Sequence, residues 1–373
     1  MIQIIFPIAM ISIMGLIHLY FYKRVLSKLH FRAKIIQSLQ RFAIINLLFV
    51  IGYILARYFV AVPTWLYFLL SLSIGIGFCF LIFTLLYEVI QIALHTIPFD
   101  KNKRAFLKKS GDISVVALGG AYLGTAIYEG QKEPIILPIT INQNLFTQPY
   151  RIVQISDMHI GGLIDEEFVQ KTVEKINALD VDFITITGDL TDAPIEQIKQ
   201  SVAHLANLKS RFGTFYVIGN HEYFHGLEDT IAYIKMLGIR LLENETLMIG
   251  RDNEQFNICG LYDYFGYRKG SFIPDPLKVQ NEINWSLPTL LLAHQPKQTK
   301  RLEGLKPNLI LSGHTHGGQI FPFSYLVRLQ QPYLKGLYKI SQKEAIYVNS
   351  GIGFWGPKMR LGSSAEITLI SWS

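Results

Sequence analysis

Two cysteines are all the chain contains, Cys79 inside an apolar run and Cys259 in a strand-like stretch. A disulfide framework is thereby excluded, and neither cysteine has the spacing of a metal ligand. Charge is also scarce: 17 % of the 373 residues are Asp, Glu, Lys or Arg against 50 % hydrophobic. From Met1 to Tyr22 there is no charged side chain at all. A cleaved signal peptide needs a charged start and a small-residue cleavage site, and neither is present. Internal repeats and low-complexity segments are missing too, so solenoids and disordered arrays are set aside.

The charge that is present is unevenly placed. Of 35 basic and 28 acidic residues, 13 and 5 lie in the first 145 positions, leaving 22 against 23 for the remainder. The net +7 therefore belongs to the apolar part of the chain, where positive charge sets membrane orientation. It carries no implication of a nucleic-acid partner, and none is expected; the partner that apolar runs flanked by positive charge imply is a lipid bilayer.

Four apolar runs suit membrane helices: residues 2–22, 42–62, 65–94 and 113–128. Arg57 and Glu88 lie close to the ends of their helices, where snorkelling to the interface is expected. Two basic segments separate the runs, one with Lys23, Arg24, Lys28, Arg32, Lys34 and Arg41, the other with Lys101, Lys103, Arg104, Lys108 and Lys109. The positive-inside rule puts both in the cytoplasm, so a fourth crossing delivers the following domain to the extracytoplasmic side of an inner or plasma membrane. Lys103-Arg104-Ala105-Phe106-Leu107-Lys108 also resembles a twin-arginine export signal with Lys in the first position; a stop-transfer cluster reads the same way. The fourth run is short for a bilayer core of about 30 Å, and if it only lies on the surface the domain stays inside.

Residues 131–148, with two prolines and few helix signals, are expected to tether this anchor (1–130) to a globular domain over 149–373. There the texture changes to short apolar runs alternating with amphipathic stretches. Strands are expected at 151–155, 183–187, 214–218, 255–259, 289–293, 309–311 and 345–348, helices at 165–179 and 195–208.

Chemistry-bearing residues follow these strands in blocks. Asp157 and His159 come after the first, and Gly188-Asp189-Leu190-Thr191-Asp192 after the second. Gly219-Asn220-His221-Glu222 follows the third. His294 comes after 289–293, and Gly313-His314-Thr315-His316 after 309–311. Strand C-termini are the edge at which an α/β sheet binds its ligands. Alone, Asp-X-His is a turn and Gly-Asn-His-Glu a helix cap with Asn220 as the cap residue. Five blocks in order on strand ends have no comparable structural use. Their mixture of carboxylates, imidazoles and one amide suits Mn, Fe or Zn better than Ca or Mg.

The order of these blocks resembles the calcineurin-like metallophosphoesterase family from about Pro149 to the end, within it the membrane-anchored branch marked by Gly-His-Thr-His-Gly-Gly-Gln (Gly313–Gln319). The resemblance implies an α/β fold, a four-layer αββα sandwich behind the N-terminal transmembrane helices, and two divalent metal ions. By motif position, Asp157, His159, Asp189 and His316 would hold one metal and Asp189, Asn220, His294 and His314 the other, with Asp189 bridging. It further implies hydrolysis of a phosphoester or pyrophosphate bond by in-line attack of a metal-bridging hydroxide. His221 would protonate the leaving oxygen, with Asp192 orienting it. The branch includes UDP-diacylglucosamine hydrolases, so a lipid-linked substrate is expected. Ala193 and Pro194 stand where the family's Ser/Thr protein phosphatases carry Arg-Gly, which argues against protein substrates. Competing readings are a non-catalytic metal-binding membrane sensor or scaffold, and a transporter, which lacks the polar helices it would need. The loop from Asp263 to Pro276, with Tyr264, Phe265, Tyr267, Arg268 and Lys269, reads either as a substrate loop or as an ordinary solvated loop with its aromatics packed inward, the second being preferred.

Overall fold

The computed structural model describes residues 2–60 and 62–373; Met1, at the head of the first apolar run, and Ala61, within the second, lie outside the described residues. The chain divides into two units: Met1–Gln131 with Gly356–Arg360, and Lys132–Trp355 with Leu361–Ser373.

The first unit holds four helices, α1 (Ile2–Arg24), α2 (Ala33–Tyr58), α3 (Thr64–Thr96) and α4 (Lys101–Gln131). All four are long and apolar enough to cross a membrane. Two differ from the sequence expectation of 42–62 and 113–128. α2 starts nine residues earlier, and α4 runs through the basic cluster that reads as a loop. Its start is set by Asp100, whose Oδ1 accepts from the backbone N–H of Lys103 at 2.8 Å, an N-cap that satisfies an orphan donor. The 22 residues from Ser110 to Gln131 reach about 33 Å, so the shortfall at this helix disappears.

Several polar groups inside the unit are paired with one another. Asn46 Nδ2 contacts His18 Nε2 at 3.0 Å and donates to the carbonyl of Ser73 at 3.2 Å, tying three helices. Asp112 is fully buried and accepts from Tyr87 Oη at 2.8 Å and from the backbone of His30 at 2.8 Å. Glu88, expected close to the inner end of its helix, accepts from both Tyr20 and Arg24 of α1. Arg57 donates to the hydroxyls of Tyr53 and Tyr67, each at 3.4 Å.

The second unit is built on strands β1 (Ile135–Ile141), β2 (Tyr150–Ile155), β3 (Phe183–Thr187), β4 (Thr214–Val217), β5 (Arg240–Leu241), β6 (Glu245–Arg251), β7 (Glu254–Gly260), β8 (Thr289–Leu292), β9 (Leu309–Ser312), β10 (Gly336–Lys339), β11 (Ala345–Val348) and β12 (Glu366–Trp372). Its helices are α5 (Glu166–Asn177), α6 (Ile195–Ala203), α7 (Leu227–Met236), α8 (Gly266–Lys269), α9 (Pro276–Asn281) and α10 (Phe323–Gln330). The strands form two six-stranded sheets, ordered β1-β12-β2-β3-β4-β5 and β10-β11-β9-β8-β7-β6. Pairing is parallel through β2 to β5 and through β7, β8, β9 and β11.

Strand alternation sorts the core into layers. Ile152 and Phe183 point between the sheets, meeting Phe256, Leu290 and Trp372. Their neighbours Val153 and Ile184 point the other way, under Val169, Ile198 and Ile231 of α5, α6 and α7. Leu291 and Ile346 face outward beneath Val279 of α9. The result is helix, sheet, sheet, helix. Burial on both faces explains why β8 and β9 read as near-continuous apolar runs.

The stretch 131–148, expected as a tether, contains β1, paired in parallel with β12 from Ile135↔Glu366 to Ile141↔Trp372. It is an edge strand, which is why it tolerates Pro138 and stays largely exposed.

Candidate metal centre

The C-termini of β2, β3 and β4 in one sheet and of β8 and β9 in the other converge. Backbone hydrogen bonds lock the loops that follow: Asp157 N–H to the Gly188 carbonyl at 3.0 Å, His159 N–H to Asp189 at 3.0 Å, Gly313 N–H to His294 at 2.9 Å and Gly353 N–H to Asp157 at 2.9 Å. Five side chains expected at the site sit on left-handed backbone, with φ of 52° at Asp157, 54° at His159, 50° at Asp189, 71° at His314 and 49° at His316. Each such residue costs about 1–3 kcal/mol, a concentration of strain that marks functional loops. Glycines clear the space. A Cβ on Gly219 would land on Asp189 Oδ1, and one on Gly313 would land on Ser156 Oγ and Asp157 Oδ2.

Two groups of donors result, the buried Asp157–His159–His316 and Asp189–His294–His314, in which His314 is partly buried, each with one ligand atom per residue mutually within 4.8 Å. His159 Nε2 faces His316 Nε2 at 3.0 Å, and His316 Nε2 lies 3.5 Å from Asp157 Oδ1. Asp189 Oδ2 is 3.2 Å from His294 Nε2 and 4.0 Å from His159 Nε2, between the two groups. Asn220 lies at their margin, its Oδ1 accepting from Gln295 Nε2 at 3.4 Å.

The donor atoms are set for cations. His294 Nδ1 donates to the Thr187 carbonyl at 2.7 Å, so the nitrogen turned to the site is the buried Nε2, 3.2 Å from Asp189 Oδ2. His314 Nδ1 is likewise buried and makes no hydrogen bond. Lone pairs aimed at one another and at a carboxylate repel unless something positive lies among them. Burial, reinforced by His294, holds the His314 imidazole well below its ordinary pKa, so it is a neutral donor. Burial pushes Asp189 up, but His294 and His221 outweigh it and hold the carboxyl well below the usual range. Two hard oxygens and four imidazoles fit borderline divalent cations.

The sequence profile of the calcineurin-like phosphoesterase family matches residues 150–318. An uncharacterised metallophosphoesterase of Helicobacter pylori is 40 % identical over 309 residues, covering 83 % of this chain and 82 % of its own length. The chain belongs to this family. As a metallophosphoesterase it is a metal-dependent phosphoester hydrolase. The bovine transmembrane protein with metallophosphoesterase domain is 35 % identical over 272 residues, 69 % of this chain and 59 % of the relative. The UDP-2,3-diacylglucosamine pyrophosphatase LpxG of Chlamydia trachomatis is 26 % identical over 323 residues, 69 % of this chain and 95 % of its own. Four apolar helices and transmembrane relatives make this metallophosphoesterase an integral membrane protein.

His221 and Asp192 lie beside the donors. His221 Nδ1 contacts Asp192 Oδ1, which is also 3.4 Å from His159 Nδ1. The His221 backbone N–H donates to Asp189 Oδ1 at 2.9 Å, and its Nε2 is 3.9 Å from Asp189 Oδ2. His221 also groups with His159 and Asp189, and His225, given no role from the sequence, joins Asp192 and His221 in a further cluster of donor atoms.

Sequence reasoning also passed over Glu222. Its fully buried carboxylate accepts from the N–H groups of Leu190 (2.7 Å), Thr191 (3.0 Å) and Gly219 (2.6 Å), joining the loops after β3 and β4. The signal was there: it closes the Gly-Asn-His-Glu block. Asp263 is another, buried after β7 and linked through Gln295 Nε2 (2.8 Å) to Asn220. Burial raises its carboxyl to about 6 against the pull of His294. In the loop it opens, Phe265 and Phe272 pack inward, while Tyr264 lies under Lys297, 4.4 Å from ring centre to Nζ.

Proposed function

We propose that the chain is a membrane-anchored two-metal phosphoesterase acting on a lipid-linked phosphoester or pyrophosphate. In this reading Asp157, His159, Asp189 and His316 hold one metal, and Asp189, Asn220, His294 and His314 the other. The observation that carries it is Asp189, whose carboxylate lies between two donor groups, 3.2 Å from His294 Nε2 and 4.0 Å from His159 Nε2. Bound divalent ions supply a nucleophile at neutral pH and neutralise phosphoryl oxygens.

The protein's own groups do the rest. Asp157 accepts from His314 N–H at 2.8 Å and from Ser156 Oγ at 2.5 Å, so its orientation is fixed in advance. Asp192 holds the His221 imidazole by Nδ1, directing Nε2 toward the centre, where it delivers a proton to the leaving oxygen. This acid–base pair favours turnover over a ligand-sensing role. A lipid-linked substrate is supported by the four membrane helices and by the similarity to LpxG.

The catalytic domain faces the extracytoplasmic side in this proposal. Both basic clusters belong on the cytoplasmic side, and α4 beyond its cluster is long enough to cross. Reporters fused after Ser373 test it: active alkaline phosphatase is expected. Fluorescence from a protein that folds only in the cytoplasm would reverse the orientation and favour a cytoplasmic UDP-diacylglucosamine-type pyrophosphate hydrolase. For the substrate, the full chain is assayed against nucleotide-sugar lipids, phospholipids and cyclic dinucleotides. Release of phosphate or nucleotide from the lipids is expected, and turnover of the cyclic dinucleotides alone would overturn the lipid reading.

A further inference from the structure

α10 is the one helix of the second unit with no buried residue among the described residues. Its side chains do not explain that exposure. Tyr325, Leu326 and Leu329 are 62 %, 51 % and 82 % exposed, with Phe321 at 50 % just before them. Trp355 extends the patch, its ring stacked on Phe323 at 6.5 Å. Large contiguous apolar patches on soluble surfaces mark interaction sites.

The helix is not a loose excursion. At its start, a Cβ on Gly318 would fall on Ser324 Cα, so the first turn lies directly on the Gly317–Gly318 turn behind His316. At its end, Gln331 Oε1 accepts from the N–H of Lys297 at 3.0 Å, and Gln331 Nε2 donates to Gln295 Oε1 at 3.4 Å, on the segment behind His294. Both ends are fastened to metal-binding loops while the apolar side faces out.

Charge and tether identify what covers it. From Gly313 to Lys343 there is no Asp or Glu, while Arg328, Lys335, Lys339 and Lys343 are present. An apolar helix with aromatic and basic residues suits the headgroup boundary of anionic lipid. Only Lys132, Glu133 and Pro134 separate the end of α4 from β1, a reach of about 10 Å, so a bilayer crossed by α4 is always close to the domain.

We propose that α10, with Phe321 and Trp355, is a bilayer-contact surface of the catalytic domain. It lies in the headgroup–acyl boundary and holds the metal centre over the phosphoesters of membrane lipids. The proposal rests on the bilayer-anchor reading of the first unit and deepens the lipid-substrate reading, but its test needs no turnover.

Nitroxide labels are placed on Leu329→Cys and Leu326→Cys in the full chain, reconstituted into vesicles of phosphatidylethanolamine and phosphatidylglycerol. Cys79 and Cys259 are buried, so labelling falls on the new thiols. Met236→Cys, at a residue of α7 that is 68 % exposed, is the aqueous control. Power saturation compares collisions with oxygen, which concentrates in lipid, and with a water-soluble nickel chelate. Oxygen should dominate at 326 and 329, and the chelate at 236. Chelate accessibility at 329 equal to that at 236 would overturn the proposal. Protection from both reagents that vanishes as protein is diluted among vesicles would overturn it too, assigning the patch to a second copy of the chain.

Discussion

Glu222→Gln removes one acceptor from a carboxylate that fastens two metal-bearing loops. The amide oxygen in the place of Oε1 keeps the N–H groups of Leu190 and Thr191, but the amide nitrogen then opposes the N–H of Gly219, now held at 2.6 Å. One charge-assisted bond is lost and two buried donors face each other, a cost of about 2–3 kcal/mol. Glu222→Ala orphans all three N–H groups at a site with no exposure, about 3–6 kcal/mol, a large part of a typical domain's 5–15 kcal/mol. The shifted loops carry Asp189 and Asn220, so metal affinity should fall about 10- to 100-fold. Urea unfolding in detergent, followed by the fluorescence of Trp285, Trp355 and Trp372, measures the first effect; metal titration of the refolded protein measures the second. A Gln variant within about 0.5 kcal/mol of wild type and with unchanged metal affinity would refute the idea that Glu222 sets these loops.

Asp189→Ala should lose both metals while the domain still folds, since Asp189 is the only proposed shared ligand; two metals retained by elemental analysis would sink that assignment. His221→Ala should keep its metals and lose about 100- to 10,000-fold in kcat, less for substrates with good leaving groups. Equal losses for good and poor leaving groups would rule out the proton-donor role. Gly313→Ala should displace Asp157, because the new Cβ lands on its carboxylate. Metal content should fall toward one per chain, and full occupancy would show that the loop relaxes at little cost.

The blocks at the strand ends were legible because β2, β3, β4, β8 and β9 are short and, Arg151 apart, buried, so chemistry-bearing residues stand out where each run stops. β1 was not: it is half-exposed, contains Pro138, and exists only because β12, more than 200 residues later, pairs with it. The start of α4 was hidden by charge, since a basic helical turn and a basic loop have the same composition. Left-handed backbone at Asp157 or His316 leaves no mark in composition either. Glu222 was visible as a letter in a motif, but its work is done through backbone N–H groups that appear only once the loops after β3 and β4 are side by side.

The central claim is that two divalent ions held by these loops make the chain a phosphoesterase. Full-length protein stripped with chelator, then reloaded with Mn, is assayed for metal content and for hydrolysis of an aryl phosphodiester. The account predicts about two metals per chain, no hydrolysis when stripped, and restored hydrolysis on reloading. Hydrolysis that survives complete stripping, or a fully loaded protein that turns over no phosphoester, would contradict it.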